Sequence, residues 1–342
     1  MIASLKPVLD ILGAPDAQYL IPVFQRVYSW SRLQCDQLWE DVLAAGEEHR
    51  MHFMGTVISR PEREGAQGSD GAAGGLRRVS LVDGQQRLVT VALLLVALRD
   101  EQRNAGEGLQ ARELDERYLH AAAGAIKLGL AEADAPTLAL LVDGTPLPEG
   151  VEPSRFLMEN RMLFREKMAS SRVETSAVMA GLKELAVVSM ELEDADSPQQ
   201  AFESLNAKGR PLSTADLLRN VLLATYGLKE QERLFDLYWA PIDEAFRRFG
   251  PEQDIYLDAA LHCWASKAAP ELRAAKRSDL YQAFKVYLAQ RGSYPLEELL
   301  ASLSAECLAF AANPASAEAR AHLDWVVDKP QGLVSERRLF GD

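Results

Sequence analysis

Arg78–Asp100 reads RVSLVDGQQRLVTVALLLVALRD, and its interpretation decides the fold. Val79, Leu81 and Val82 have the apolar character of a buried strand, which Asp83-Gly84 interrupts. From Gln85 an apolar run continues to Leu98, before Arg99 and Asp100. The run is too long for a strand, rich in Leu and Ala, and apolar on nearly every face, which predicts a core helix. A strand, a tight turn and a buried helix in succession aim free backbone N–H groups at an anion.

The polar residues at the junction sharpen that expectation. Asp83 suits an N-cap, and Gly84 lets the backbone turn tightly or approach a ligand. Arg87 is out of place, because a cation in the first turn opposes the helix dipole by roughly 0.3–1 kcal/mol unless an anion is present. Gln85, Gln86 and Arg87 crowd the mouth of an otherwise oily helix. A plain structural reading makes Asp83 the cap, pairs Arg87 with it and leaves the glutamines solvated. A phosphate-binding site accounts for the cation better.

Upstream, Met1–Gly13 reads as an amphipathic helix, with Leu5, Val8, Leu9 and Leu12 at helical spacing. Tyr19–Trp30 (YLIPVFQRVYSW) contains Pro22, which disfavours a central strand and suggests an extended edge. A helix is predicted from Ser31 as N-cap, with Leu33, Leu38, Val42 and Leu43 inward. Phe24, Tyr28 and Trp30 alternate around Gln25 and Arg26. The aromatics can be core, or can wall and stack a ligand while Arg26 forks a phosphate.

Met51–Ser59 and Arg77–Val82 are predicted as paired strands, joined by the Gly-rich Arg60–Leu76. Arg60, Arg63, Arg77 and Arg78 gather at the two ends of that loop, where a DNA backbone could be met. His49 and His52 have a spacing that can share a metal on a helix, but no third ligand is recognisable, which favours capping or surface histidines. His52 is retained as a candidate ligand because its strand runs beside the DGQQR turn.

Downstream, Gly106–Met168 is helical in pattern apart from a Gly/Pro-rich loop at Asp143–Pro153. Leu185–Leu192 (LAVVSMEL) reads as a strand, and a helix is predicted from about Pro198. It leads into Phe202–Asn220, FESLNAKGRPLSTADLLRN, in which Ser213-x-x-Asp216 resembles a capping box. Caps and turns explain Gly209, Ser213 and Asp216, whereas Asn206 and Arg210 are unexplained by such logic, and Lys208 projects from the same loop. Beyond Ala224 the pattern is helical, with Pro251, Pro270, Pro295 and Pro314 as breaks.

The 342 residues suffice for one large or two modest domains. No stretch reaches the roughly 18–20 apolar residues that cross a bilayer, and no export signal opens the chain. Three scattered cysteines fit reduced thiols in a cytoplasm. A net charge of −13 argues against an indiscriminate nucleic-acid coat. Residues 1–100 hold 10 Lys/Arg against 12 Asp/Glu, and the remainder 27 against 38, so any DNA contact is expected near the first hundred residues.

DGQQR at Asp83–Arg87, the QR-containing Ile21–Trp30 and Phe202–Asn220 together resemble the ParB/sulfiredoxin-like domain of GmrSD-type modification-dependent restriction enzymes. The same domain begins SspE-type antiphage proteins that respond to phosphorothioate-modified DNA. The resemblance implies an α+β fold: a small ParB/sulfiredoxin-like sheet with helices over residues 1–225, then a helical region over 226–342 leading to an HNH-type effector nuclease domain, of which no His-Asn-His arrangement is seen here. It implies a cytoplasmic nucleoside triphosphatase, using GTP or another NTP and a divalent metal such as Mg²⁺, coupled to sensing of modified DNA. No Walker A segment occurs, so phosphate would rest on Gly84 and Arg87, with Asn206, Lys208 and Arg210 in support. Asp83 would bind metal or orient water, and Gln85 or Gln86 would position that water. Pro22, Phe24, Gln25, Arg26, Tyr28, Arg77 and Arg78 would face DNA or its modification; Phe24 stands where the family tends to carry Tyr. The alternatives are a non-catalytic DNA-binding module of ParB type, or a nuclease using the same site.

Overall fold

The computed structural model describes residues 2–62, 76–131, 133–171, 173–193, 213–223, 228–273, 279–291 and 296–327, with 196, 201, 226 and 275 between them. The chain divides into two compact units, Met1–Gly209 and Arg210–Asp342. The fold is α+β, as the resemblance implies.

The first unit is built on a mixed sheet ordered β1-β6-β3-β4-β2-β5. Its strands are β1 (Ile2–Pro7), β2 (Ala17–Leu20), β3 (His52–Pro61), β4 (Arg77–Asp83), β5 (Leu128–Gly129) and β6 (Leu185–Glu191). The helix expected over Met1–Gly13 is therefore a strand in its first half. Ile2–Pro7 pairs antiparallel with β6, and Pro7, which has no N–H to give a helix, marks the change to α1 (Val8–Leu12). Helical spacing survives only where Val8, Leu9, Ile11 and Leu12 are buried. β2 also departs from expectation, because it lies inside the sheet, parallel to both β4 and β5. It ends at Leu20, so Pro22 never enters the ladder, and β5 covers its outer side from within a stretch that reads as helix.

α2 (Arg32–Glu48) starts at Ser31 as expected, with a capping box in which the Ser31 N–H donates to Gln34 Oε1 at 2.8 Å. Its buried stripe is Cys35, Leu38, Trp39, Val42 and Ala45. Leu33 falls off that stripe by about half a turn and is exposed. β3 and β4 form the predicted antiparallel pair, with Ile58 opposite Asp83 and an irregularity between Ile58 and Ser59. The centre of the loop between them, residues 63–75, lies outside the described residues.

α3 (Gln85–Asn104) is the predicted core helix, and every residue from Leu88 to Leu98 is buried. It shares one apolar cluster with Val57, Val79 and Leu81 of the sheet and with Leu163 and Phe164 of α6 (Arg155–Ser171). Such a helix has no solvent face, which is why its sequence shows no polar stripe. α4 (Gly108–Leu114), α5 (Ala135–Asp143) and α7 (Thr175–Glu184) complete the unit. At the far end of α3, Arg99 donates to the carbonyls of Leu141 and Val142 at 3.0 and 2.8 Å, neutralising the open end of α5.

Among its described residues the second unit is helical: Thr214–Leu223, Leu228–Leu234, Ala240–Arg247, Gln253–Ala268, Pro270–Arg273, Leu280–Arg291, Leu296–Ala312 and Ala317–Val327. The Asp216 N–H donates to Ser213 Oγ at 3.1 Å, the cap predicted from sequence. No described helix is long and apolar enough to cross a membrane. The helix expected from Pro198 and residues 202–212 fall outside the described residues, except Ala201 itself.

Candidate functional site

The carboxyl ends of the parallel strands β2 and β4 lie side by side, and residues 21–31 leave β2 to lie against the start of α3. Three amides hold them there. Gln25 donates from Nε2 to the Val82 carbonyl at 3.1 Å and accepts from Gln85 Nε2 at 3.0 Å. Gln86 accepts the Ser29 N–H at 2.9 Å and donates to the Val27 carbonyl at 3.3 Å. All three glutamines are buried. The solvated glutamines of the plain structural reading are thus not found; the two motifs, far apart in sequence, are locked together.

A second tier supports the first. Asn160 Nδ2, on α6, donates to the Tyr28 hydroxyl at 3.0 Å and to the Trp30 carbonyl at 2.7 Å. The Tyr28 hydroxyl lies 2.8 Å from Thr90 Oγ1, and Thr90 donates to the Gln86 carbonyl at 2.7 Å. Proton accounting gives the chain one direction: Asn160 to Tyr28, Tyr28 to Thr90, Thr90 to Gln86. The Tyr28 N–H is taken by Asp134 at 2.6 Å. Tyr28 is buried, so it steadies the loop from inside, and Pro22 and Phe24 are buried as well.

Between Leu81 and Leu98 only Asp83 and Arg87 retain partial exposure. Asp83 is not the N-cap: β4 runs through it, and Gly84 takes the cap position at φ 90°, with no side chain capping α3. A Cβ at Gly84 would come within 2.9 Å of the Thr56 carbonyl oxygen, so the turn needs glycine for both conformation and space. Freed from capping, the Asp83 carboxylate accepts from Thr56 Oγ1 at 3.4 Å and faces Arg87 Nη1 at 3.8 Å. Arg87 donates to the Thr56 carbonyl at 2.9 Å, with its guanidinium over Gly55, itself at φ 112°.

Burial pushes the Asp83 carboxyl above the usual aspartate range, while Arg87, the Gly84 N–H, Thr56 and Arg26 pull it back. Arg26 therefore acts on the same carboxylate as Arg87. The QR and DGQQR motifs meet through Gln25, and the partly exposed Asp83–Arg87 pair, with Arg26 adding a weaker attraction on the same carboxylate, stands at a helix N-terminus that no side chain caps. Thr56, Thr90, Asp134 and Asn160 escape a motif-based reading. Asn160 stands between Glu159 and Arg161 in FLMENRMLF of α6, where nothing in the sequence marks it as the buried one of the three.

The remaining candidates lie elsewhere. Arg77 and Arg78 are exposed at the opposite end of β4, and five residues of strand put Arg78 about 17 Å from Asp83. His52 begins β3 and faces Asp41 of α2, Nε2 to Oδ2 at 3.4 Å; it joins no group of three metal-binding side chains among the described residues. Asn206, Lys208 and Arg210 are outside the described residues.

The sequence profile of the GmrSD restriction endonuclease N-terminal domain matches residues 8–223, well over half of the chain. The chain belongs to this family. No curated protein matches it. Membership makes the chain part of a DNA restriction system, and the matched region contains the complete β2-loop, β3–β4 pair and α3 assembly.

Proposed function

We propose that the Arg26–Asp83–Arg87 constellation is the phosphoryl-handling site of a nucleoside triphosphatase coupled to sensing of modified DNA. The observation that supports this is a desolvated carboxylate, Asp83, beside the Arg87 guanidinium at an N-terminus of α3 that no side chain caps, with Arg26 acting on the same carboxylate. Open N–H groups and a helix dipole favour a phosphate there. Arg87 and Arg26 neutralise charge on the transferred phosphoryl group. Gln85 and Gln86 hold the loop in this arrangement, Gln86 through both its oxygen and its nitrogen and Gln85 through Nε2.

Asp83 suits a magnesium ion, which takes one or two protein carboxylates and completes its shell with phosphate and water oxygens. Asp83 would be a protein carboxylate of such a centre. The ion would supply charge neutralisation between phosphates. GTP is the favoured nucleotide and phosphorothioate a candidate modification, both from the family resemblance. DNA would be met at the Arg77–Arg78 end of β4, with the distance from Asp83 separating sensing from hydrolysis.

A non-catalytic DNA-binding module is the second reading, favoured by the commitment of both glutamines to the loop. Phosphate release from GTP and ATP, with and without DNA, separates the two. Arg87→Ala should lower turnover at least ten- to hundredfold, since a charge-assisted hydrogen bond contributes roughly 1.5–3 kcal/mol. Circular dichroism should be unchanged. Wild-type turnover in Arg87→Ala would remove the phosphate site, and no turnover in the wild type would leave the binding module.

A further inference from the structure

The second unit contains a cluster that lies outside the family match to residues 8–223 and that the proposed reaction does not use. Cys263 lies on the Gln253–Ala268 helix, and Glu318 and His322 lie on the Ala317–Val327 helix. Glu318 and His322 are four residues apart and so share one face of their helix. One ligand atom from each of the three residues lies within 4.8 Å of the others. A tetrahedral zinc site spaces such atoms roughly 3.4–3.6 Å apart, given its bond lengths of about 2.0–2.3 Å. The set therefore needs to contract by about an ångström, within the reach of side-chain torsions.

We propose that Cys263, His322 and Glu318 bind one divalent d-block cation of the zinc type, tying these two helices together. Thiolate, imidazole and carboxylate are the donors such ions take. The surroundings prepare them. His262 Nδ1 lies 2.9 Å from His322 Nδ1, a contact that fixes the ring. His262 in turn stacks on Trp325 at 3.5 Å. An outer partner of this kind commonly orients a ligating histidine. Glu318 is exposed and gives an ion a path from solvent.

A cation already has a place beside this cluster. The Lys267 ammonium lies 2.6 Å from Glu306 and 2.9 Å from Glu318, and Glu306 reaches Cys263 Sγ at 3.4 Å. Binding therefore displaces Lys267 from Glu318. The Cys263 S–H bond breaks as the metal–sulfur bond forms, and the proton leaves to solvent.

The test is a cobalt titration of the chelator-treated full chain. One equivalent of Co²⁺ should produce a thiolate charge-transfer band in the near ultraviolet, abolished by Zn²⁺. Cys263→Ser should remove the band, and Glu318→Gln, at an exposed position that does not threaten folding, should weaken Co²⁺ binding. His262→Ala should weaken it by roughly 10–100-fold, as loss of an outer partner does. Lys267→Ala should tighten it, because the competing cation is gone. Absence of saturable Co²⁺ binding by the folded wild type, a band that persists in Cys263→Ser, or an affinity unmoved by Glu318→Gln overturns the proposal.

Discussion

Replacing Gly84 by alanine tests the packing of the β4–α3 turn against β3. Two separable penalties apply. The first is conformational: at φ 90° an L-residue is left-handed, which costs roughly 1–2 kcal/mol. The second is steric: the new methyl would meet the Thr56 carbonyl oxygen and Val57 Cγ2, each at 2.9 Å, and neither belongs to the free end of a long side chain. Overpacking of this kind costs roughly 1–3 kcal/mol. The sum is about 2–5 kcal/mol. Gly106→Ala supplies the control, because it shares a positive φ of 81° but has nothing within 4 Å of an added Cβ. It should lose only the conformational part. Chemical denaturation of both variants gives the difference directly, and nucleotide hydrolysis should fall in Gly84→Ala alone, since relief of the clash moves Thr56 away from Asp83 and Arg87. Equal losses of stability in the two variants would refute the close approach.

Asp83→Asn should abolish hydrolysis yet stabilise the free protein at neutral pH. A carboxyl raised in the folded state favours folding in its neutral form, so that contribution is complete below the unfolded aspartate range and lost as pH rises through the folded value. The melting temperatures of variant and wild type should therefore converge as pH falls below about 3.9; a variant less stable at neutral pH would show that the Arg87 and Arg26 attractions outweigh burial. Replacing Arg77 and Arg78 by Ala should weaken DNA binding and flatten its salt dependence by about one unit per lost phosphate contact, with DNA-free hydrolysis retained. The fold should tolerate it, since the half-exposed Arg77–Glu191 pair at 3.6 Å is worth at most about 1 kcal/mol. Unchanged DNA affinity across a salt series would remove this end of β4 from the DNA interface.

Local signals carried the strand, turn and buried helix of Arg78–Asp100, because apolar period and length separate a core helix from a strand without help from distant residues. The Ser31 and Ser213 caps were legible for the same reason. What escaped depends on partners remote in sequence. Ile2–Pro7 is a strand because β6 offers it an edge, which overrides a weak helical spacing. Leu128–Gly129 is a strand because it meets β2. Gln25, Gln85 and Gln86 could be named from sequence, but their engagement with Val82, Val27 and Ser29 required the loop to be folded over α3. From sequence Asp83 reads as a cap, because a capping residue and a strand-end carboxylate look alike until the strand's last residue is known.

The constellation is electrostatically incomplete. Arg87 sits in the first turn of α3, where the dipole opposes a cation, and Asp83 is held where burial opposes a carboxylate. Their separation of 3.8 Å is longer than a good ion-pair hydrogen bond, and Arg87 spends its 2.9 Å contact on the Thr56 carbonyl instead. A phosphate alone would satisfy Arg87, Arg26 and the open N–H groups, but its negative charge would raise the Asp83 carboxyl further. A divalent cation alone would lower that carboxyl, but would be repelled by two guanidinium groups. On the proposed reading, each charge that binds removes the objection to the other. The site is then suited to a metal–nucleotide pair over either partner by itself, and the coupling falls on Asp83, the group that Asp83→Asn removes.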